Sequence, residues 1–536
     1  MTIRERVAIF SIKKQNSILS ASLVLGITFA ISALLGFLRS RFLYAHFFKC
    51  CVLELDVYNA AFRLPDLVFK LLVTGALSAS FIPVFSSYLH KDKETADKIG
   101  STVINLLFIV FLFCSISIFI FARPLTRIIA SGFSADQLAL MVDLTRILLV
   151  AQVFFLISNF VTAILQVNQI FIIPALSPIT YNIFIILGIF TLAPTFGIYG
   201  VVYGVVIGSF FHLAIQIPVL RKIGFNYTRL INIRLKGVKE VFRLMVPRSL
   251  SLGLGEIENT VTLFFASSLA AGSISLLNLS LQLMYLPSRI FGTTIGQASL
   301  PILSKNIARN EMDIFRQTVK KTLLQSVFIA LPITTLILIQ RVSIVRIAFG
   351  SREFPWTATL LTARILAFLT PAIVCQAVSQ ILIRSFYAMH NTKIPLYVSF
   401  FSLVLNISSS YYLINFTSLG VIGLAISASL SNIVQFVGLF WLFIKKVDGF
   451  YWDDVFKRFG KMVFASLLTG LISWGLVKLL DVFVLDTSKT TNLVMLFSVS
   501  TFFGIFVYFV ISHWLMVQEC RDFEKYFIKL KQLVLK

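Results

Sequence analysis

Apolar runs of about 20 residues, the length that crosses a bilayer as a helix, recur along the whole chain between short polar segments. They predict fourteen spans, near residues 18–38, 57–87, 101–122, 143–166, 172–195, 198–220, 242–268, 276–303, 322–342, 362–387, 394–416, 420–444, 461–481 and 491–515. The runs are too long and continuous for a transmembrane β-barrel, whose strands alternate over about ten residues. The expected fold class is all-α, a polytopic membrane protein of about 14 transmembrane helices. The basic opening "MTIRERVAIFSIKKQNS" leads into apolar sequence that continues well past any small-residue cleavage site, so it reads as a tail before a first span.

The polar segments alternate in charge. Arg4, Arg6, Lys13 and Lys14 precede the first span, and Lys91, Lys93 and Lys98 follow the second. Arg221, Lys222, Arg229, Arg234, Lys236 and Lys239 follow the sixth, and Lys305, Arg309, Arg316, Lys320 and Lys321 the eighth. Lys445, Lys446, Lys457 and Arg458 follow the twelfth, and Lys525, Lys529, Lys531 and Lys536 close the chain. Short segments of opposite parity, such as "LAAGSIS" at 269–275 and "FTSL" at 416–419, carry no charge. The positive-inside rule then places both termini in the cytoplasm. Two opposite-side segments, 123–146 and 341–364, each read as a short amphipathic stretch lying on the outer interface.

Landmarks repeat at nearly one offset. Leu64-Pro65 matches Leu286-Pro287, 222 residues on; Pro174 matches Pro395, 221 on; "GIYG" at 197–200 matches "GVIG" at 420–423, 223 on. This predicts a duplicated six-helix unit: an N-terminal lobe 1–222, a C-terminal lobe 223–446, and two extra helices with a tail over 447–536. An even span number per unit makes the repeats parallel, related by an axis along the membrane normal.

One stretch resists a plain membrane reading. Residues 62–85, "FRLPDLVFKLLVTGALSASFIPVF", hold Arg63, Asp66 and Lys70 with Pro65, Pro83 and Gly75. A charge at mid-bilayer costs about 2.5–3.5 kcal/mol on insertion scales, so such residues face water or a partner. Spacings of three, four and seven put these three charges on one helix face. Arg39 ends span one, Asp56 opens span two, Arg248, Glu256 and Glu258 lie in span seven, and Gln282 and Arg289 in span eight. Spans one, two, seven and eight hold matching places in the two halves and are expected to line a cleft between them. Arg39, Asp56, Arg63, Lys70, Arg248, Gln282 and Arg289 are the expected substrate-binding residues, and Glu256 and Glu258 the ion-coupling candidates. Pro65, Gly75, Pro287 and Gly296 are expected hinges, where broken helix lines a cavity.

Composition sharpens this picture. The 536 residues are 58% hydrophobic and 13% charged, against roughly 25% charged in soluble domains, and mean hydropathy is +0.91. The net charge of +24 fits cytoplasmic loops and anionic headgroups rather than nucleic acid. Cys50, Cys51, Cys114, Cys375 and Cys520 lack metal-ligand spacing and read as small apolar fillers. Five scattered histidines (His46, His90, His212, His390 and His513) form no catalytic constellation, His212 reading as a packing residue, and no nucleotide-binding loop is present. The expectation is a transporter without catalytic site, metal or cofactor, driven by Na+ or H+ coupling or by membrane potential.

"SALLGFLR" (32–39), Asp56 followed by "AFRLP" (61–65), "GALSASFIPVFSSYL" (75–89), "IPALSPITYNI" (173–183), "LPSRIFGTTIGQASLPILSKN" (286–306) and "RSFYAMHNTKIP" (384–395) together resemble the MurJ (MviN) family. The resemblance implies two six-helix lobes with two additional helices. It also implies an undecaprenyl-diphosphate-linked substrate, lipid II, moved to the outer leaflet of a bacterial inner membrane by a monomer. It maps Arg39 onto a cavity arginine of the family, Asp56 onto its span-two aspartate, and Arg63 onto a basic position before Leu-Pro. Ala33, Phe69 and Gln282 stand where the family carries arginine; Lys70 adjoins Phe69 but points about 100° away around a helix. Glu256 and Glu258 lie outside the family pattern. A cation-coupled exporter of another lipid-linked saccharide or small molecule, and an envelope scaffold without transport, are the alternatives these residues leave open.

Overall fold

Hydrocarbon offers no water to backbone polar groups, so a spanning chain must satisfy them internally, and helices do so within one segment. The computed structural model of the chain describes residues 18–89, 91–229, 231–351, 353–447, 452–487 and 489–524. The tail residues Arg4, Arg6, Lys13, Lys14, Lys525, Lys529, Lys531 and Lys536, and His90, lie outside the described residues.

Every regular element among the described residues is a helix, with no strand. In order they form α1 (Ile18–Phe47), α2 (Val52–Ala61), α3 (Arg63–Phe69), the π-helical segments π1 (Lys70–Thr74) and π2 (Leu77–Phe81), α4 (Ile82–Leu89), α5 (Lys93–Ile120) and α6 (Ala122–Ile129). Then come α7 (Ala135–Val167), α8 (Ile172–Thr191), α9 (Ala193–Phe196), α10 (Ile198–Ala214), α11 (Ile217–Lys222) and α12 (Lys236–Ser267). They continue as α13 (Ser273–Ser288), π3 (Arg289–Thr293), α14 (Thr294–Ala308), α15 (Met312–Phe349) and α16 (Trp356–Ala388), and end with α17 (Lys393–Asn415), α18 (Val421–Lys446), α19 (Trp452–Phe483) and α20 (Thr490–Trp514).

Ten helices among the described residues are long and apolar enough to cross a membrane: α5, α7, α8, α10 with α11, and α15 through α20. Their outer faces are apolar, as lipid contact requires; Phe113, Leu471, Phe502 and Trp514 are exposed. The remaining expected spans are α1, the interrupted run α2–α4, α12, and α13–π3–α14. These are spans one, two, seven and eight, where the sequence concentrates its charges and helix breakers.

The chain divides into two compact units, 1–274 with 351–354, and 275–350 with 355–536. In the first, α8 packs on α10 and α1, and α7 on α10 and α2. Phe81 stacks on Phe85 and meets Phe160 edge-on, all fully buried. Helix α12 belongs to this unit and packs along α3, π1, π2, α4, α5 and α6. The segment leading into it is fastened to α5: Asn226 N donates to Asp97 (3.1 Å), Thr228 N to Ser101 (3.1 Å), and Tyr227 OH to Asn105 (2.6 Å). In the second unit, Phe315, Phe328, Phe386, Phe443 and Tyr508 fill one core. Helix α19 packs on α15 and α20, with Lys320 Nζ 2.5 Å from Asp454 Oδ2.

Two expectations change. Among the described residues, the 341–364 segment holds no separate amphipathic helix: α15 runs unbroken for 38 residues to Phe349. Its counterpart does break, because Ser134 and Gln137 form a reciprocal cap that starts α7 afresh. Cys50 and Cys51, read as fillers, are instead joined as a vicinal disulfide in the turn after α1, while the other three cysteines are free.

Candidate functional site

Proline in the first turn of a helix loses no intrahelical bond. Pro65 is the third residue of α3 and Pro83 the second of α4. Between them the chain widens into π1 and π2. A π-turn, rare and often functional, changes which carbonyls are used. The Leu71 carbonyl in π1 accepts a bond from Ser249 Oγ on α12 (2.6 Å). Gly75, directly after π1, lets Ser249 occupy the space that a Cβ would need.

The three span-two charges then part company. Arg63 reaches one turn of α12: its Nε donates to Thr260 Oγ1 (2.9 Å), and its Nη2 donates to the Glu256 carbonyl (2.7 Å) and pairs with Glu256 Oε2. Lys70 Nζ lies 3.1 Å from the other oxygen, Glu256 Oε1. Asp66 turns to α7, where Gln152 Nε2 donates to its Oδ1 (2.8 Å). Side-chain exposure is 11% for both Arg63 and Glu256 and 40% for Lys70. Two cations thus meet the one carboxylate of Glu256, while Asp66 is held apart by Gln152. Removing one partner of a buried pair costs about 3–5 kcal/mol, because a charge is left uncompensated.

The other expected site residues are spread more widely. Arg39 on α1 sits over the Tyr181 ring of α8, 5.9 Å from its centroid. Asp56, buried in α2, accepts a bond from Gly272 N (2.6 Å) and so holds the turn after α12. Arg248 is half-buried on α12 and makes no ion pair with another described residue. Glu258 is half-buried two residues beyond Glu256. In the second unit Gln282 is half-buried on α13, and exposed Arg289 lies 5.8 Å from the Tyr285 ring.

The expected hinges of the second unit fall around π3. Pro287 is buried in α13 just before it, and Gly296 lies three residues after it. Within π3, Gly292 brings the chain so near α16 that a Cβ would lie 2.6 Å from Ala377 Cα. Ser326 Oγ on α15 donates to the Phe291 carbonyl of π3 (3.1 Å).

Sequence reasoning did not single out Gln152, Thr260 or Ser249. Gln152 carried a usable signal, an amide alone in the apolar run "ILLVAQVFFLIS".

Comparison with known proteins agrees with this architecture. The family model described as "Lipid II flippase MurJ" matches residues 51–507. A probable lipid II flippase MurJ of Bdellovibrio bacteriovorus is 29% identical over 418 residues, 76% of this chain and 79% of its own. One from Buchnera aphidicola subsp. Schizaphis graminum is 27% identical over 96% of this chain and all of its own. A solved lipid II flippase MurJ in an inward closed conformation superposes with a TM-score of 0.74 at 25% identity, covering 92% of this chain and 98% of that one. An inward-facing multidrug resistance MATE family transporter of the MOP superfamily shares the fold at a TM-score of 0.62 and 16% identity, over 80% of this chain and 100% of that one. Matched over most of its length, this all-α polytopic chain belongs to the lipid II flippase MurJ family.

Proposed function

We propose that this chain flips lipid II, an undecaprenyl-diphosphate-linked glycan, from the inner to the outer leaflet of the bacterial cytoplasmic membrane for peptidoglycan synthesis. The observation that carries the reading is the family match over residues 51–507. The protein is a transporter, and its chemistry is binding rather than bond-making. Dragging a diphosphate and sugars through hydrocarbon is prohibitive without compensating polar groups. Charge-assisted bonds from arginine and lysine supply them, while the prenyl tail stays in lipid.

On this reading Arg39, Arg63, Lys70, Arg248 and Arg289 meet the diphosphate at stages of alternating access, with Gln282 bonding sugar or phosphate. Asp56 holds the turn that ends α12, keeping Glu256 and Arg248 in register. Pro65, Gly75, Pro287 and Gly296 mark where helices bend. Glu256 and Glu258 are the carboxylates for Na+ or H+ coupling; membrane potential alone supplies about 2.3 kcal/mol per charge per 100 mV. Two lobes, 1–222 and 223–446, act in one monomer with both termini cytoplasmic, as the basic loops direct.

The test is complementation of a bacterium depleted of its own lipid II flippase. Wild type restores growth, and Arg39→Ala inserts at normal level without restoring it. Wild type that inserts, folds and still fails to restore growth overturns the assignment.

A further inference from the structure

We infer that Glu256 is an internal counter-anion seated where the substrate's diphosphate binds, so that loading requires its displacement. The inference rests on the lipid II reading and deepens it. Cations that converge on separate oxygens of one anion suit phosphate, because charge-assisted bonds are short and strong. Arg63 and Lys70 converge in this way, one residue to each oxygen of the Glu256 carboxylate. The seat is therefore formed and filled by the chain itself.

Three observations separate this from an ordinary structural ion pair. First, the pair is lopsided in access: Arg63 and Glu256 are almost enclosed, while Lys70 is 40% exposed and opens the seat on one side. Second, Arg63 stays anchored without the carboxylate, because Thr260 Oγ1 and the Glu256 carbonyl take two of its bonds. Its guanidinium remains in place when the carboxylate leaves. Third, Lys70 is the first residue of π1. A return of π1 to α-helical winding would rotate the chain beyond Lys70 against α3, so the seat lies at a point where span two can change shape. A diphosphate carries more negative charge than one carboxylate and spans more oxygens, so it competes for both cations together. Glu256 then sets a threshold: anions of single charge do not clear the seat, and a diphosphate does.

The experiment uses the full chain in nanodiscs, titrated with inorganic pyrophosphate, with flipping of lipid II by wild type measured in parallel. Glu256→Gln, nearly the same shape without the charge, is expected to bind pyrophosphate about tenfold more tightly than wild type. Adding Arg63→Gln and Lys70→Gln to that variant is expected to abolish the gain. Equal or weaker binding by a monodisperse Glu256→Gln protein overturns the inference, as does a gain that survives loss of both cations. If Glu256→Gln does not fold, Glu256→Asp decides: its shorter carboxylate withdraws from Lys70, so tighter binding than wild type supports the inference and unchanged or weaker binding overturns it. Wild type that flips no lipid II while the gain is present sinks the functional reading and leaves the self-filled seat standing.

Discussion

Spans two and eight solve one backbone problem in the same way and then differ in chemistry. Each has a Leu-Pro pair followed within a few residues by a π segment: π1 after Pro65, π3 after Pro287. In each, a serine from a neighbouring helix bonds a π-segment carbonyl, Ser249 to Leu71 in the first unit and Ser326 to Phe291 in the second. In each, a glycine admits another helix at close range, Gly75 to Ser249 and Gly292 to Ala377. The side chains diverge. Span two carries Arg63 and Lys70, both paired with Glu256 of α12, whereas span eight carries half-buried Gln282 and exposed Arg289 over a tyrosine ring. The pair teaches that the interruption recurs after both Leu-Pro pairs, while the charge cluster stands at only one of them.

Breaking the charged copy should have the largest effect. Arg63→Ala leaves the Glu256 carboxylate enclosed with only half-exposed Lys70 beside it. The expected loss is about 3–5 kcal/mol, read as a lower melting temperature in detergent. Lys70→Ala should lose much less, since exposed pairs contribute about 1 kcal/mol or less; equal losses would contradict the asymmetry of the cluster.

Crowding the glycines should come next. Gly292→Ala forces a methyl group against backbone and should cost about 1–3 kcal/mol. Gly75→Ala meets a serine hydroxyl that can rotate, at the expense of its bond to Leu71, and should cost less. A Gly75 variant less stable than the Gly292 variant would show that the contact at Ser249 is the stiffer one.

The smallest effects should come from the serines. Ser249→Ala and Ser326→Ala each remove one bond to a π-segment carbonyl, worth about 0.5–1.5 kcal/mol. Similar losses in both variants, with faster amide exchange confined to π1 or π3, would confirm one shared device. A loss in one variant only would limit it to that span.

Much of this was legible in the chain. Hydropathy marked the ten apolar helices, and the Pro and Gly spacing in 62–85 and 286–296 marked where regular winding fails. The three-four-seven spacing of Arg63, Asp66 and Lys70 put them on one face, and two of them do share a partner. What the sequence could not show is whose face they meet. Glu256 is 193 positions from Arg63, and Gln152 is 86 from Asp66; periodicity sets a direction around one helix and carries no information about its neighbour. The repeat spacing assigned span seven to the second half, whereas by contact α12 groups with the first unit. The fastening of 226–232 to α5 rests on side-chain-to-backbone bonds that leave no periodic trace. Charge in a membrane span makes Asp56 a ligand-binding candidate; the sequence carries no sign of the turn amide it also holds, 216 residues away.

On the proposed function, the Arg63–Glu256–Lys70 cluster serves lipid II translocation. The direct measurement is the rate at which lipid II becomes accessible on the outer leaflet of cells whose only flippase is this chain, comparing wild type with a membrane-inserted Arg63→Gln, Lys70→Gln double variant. Wild type should expose lipid II rapidly, and the double variant not above background. Equal rates in the two would contradict that role.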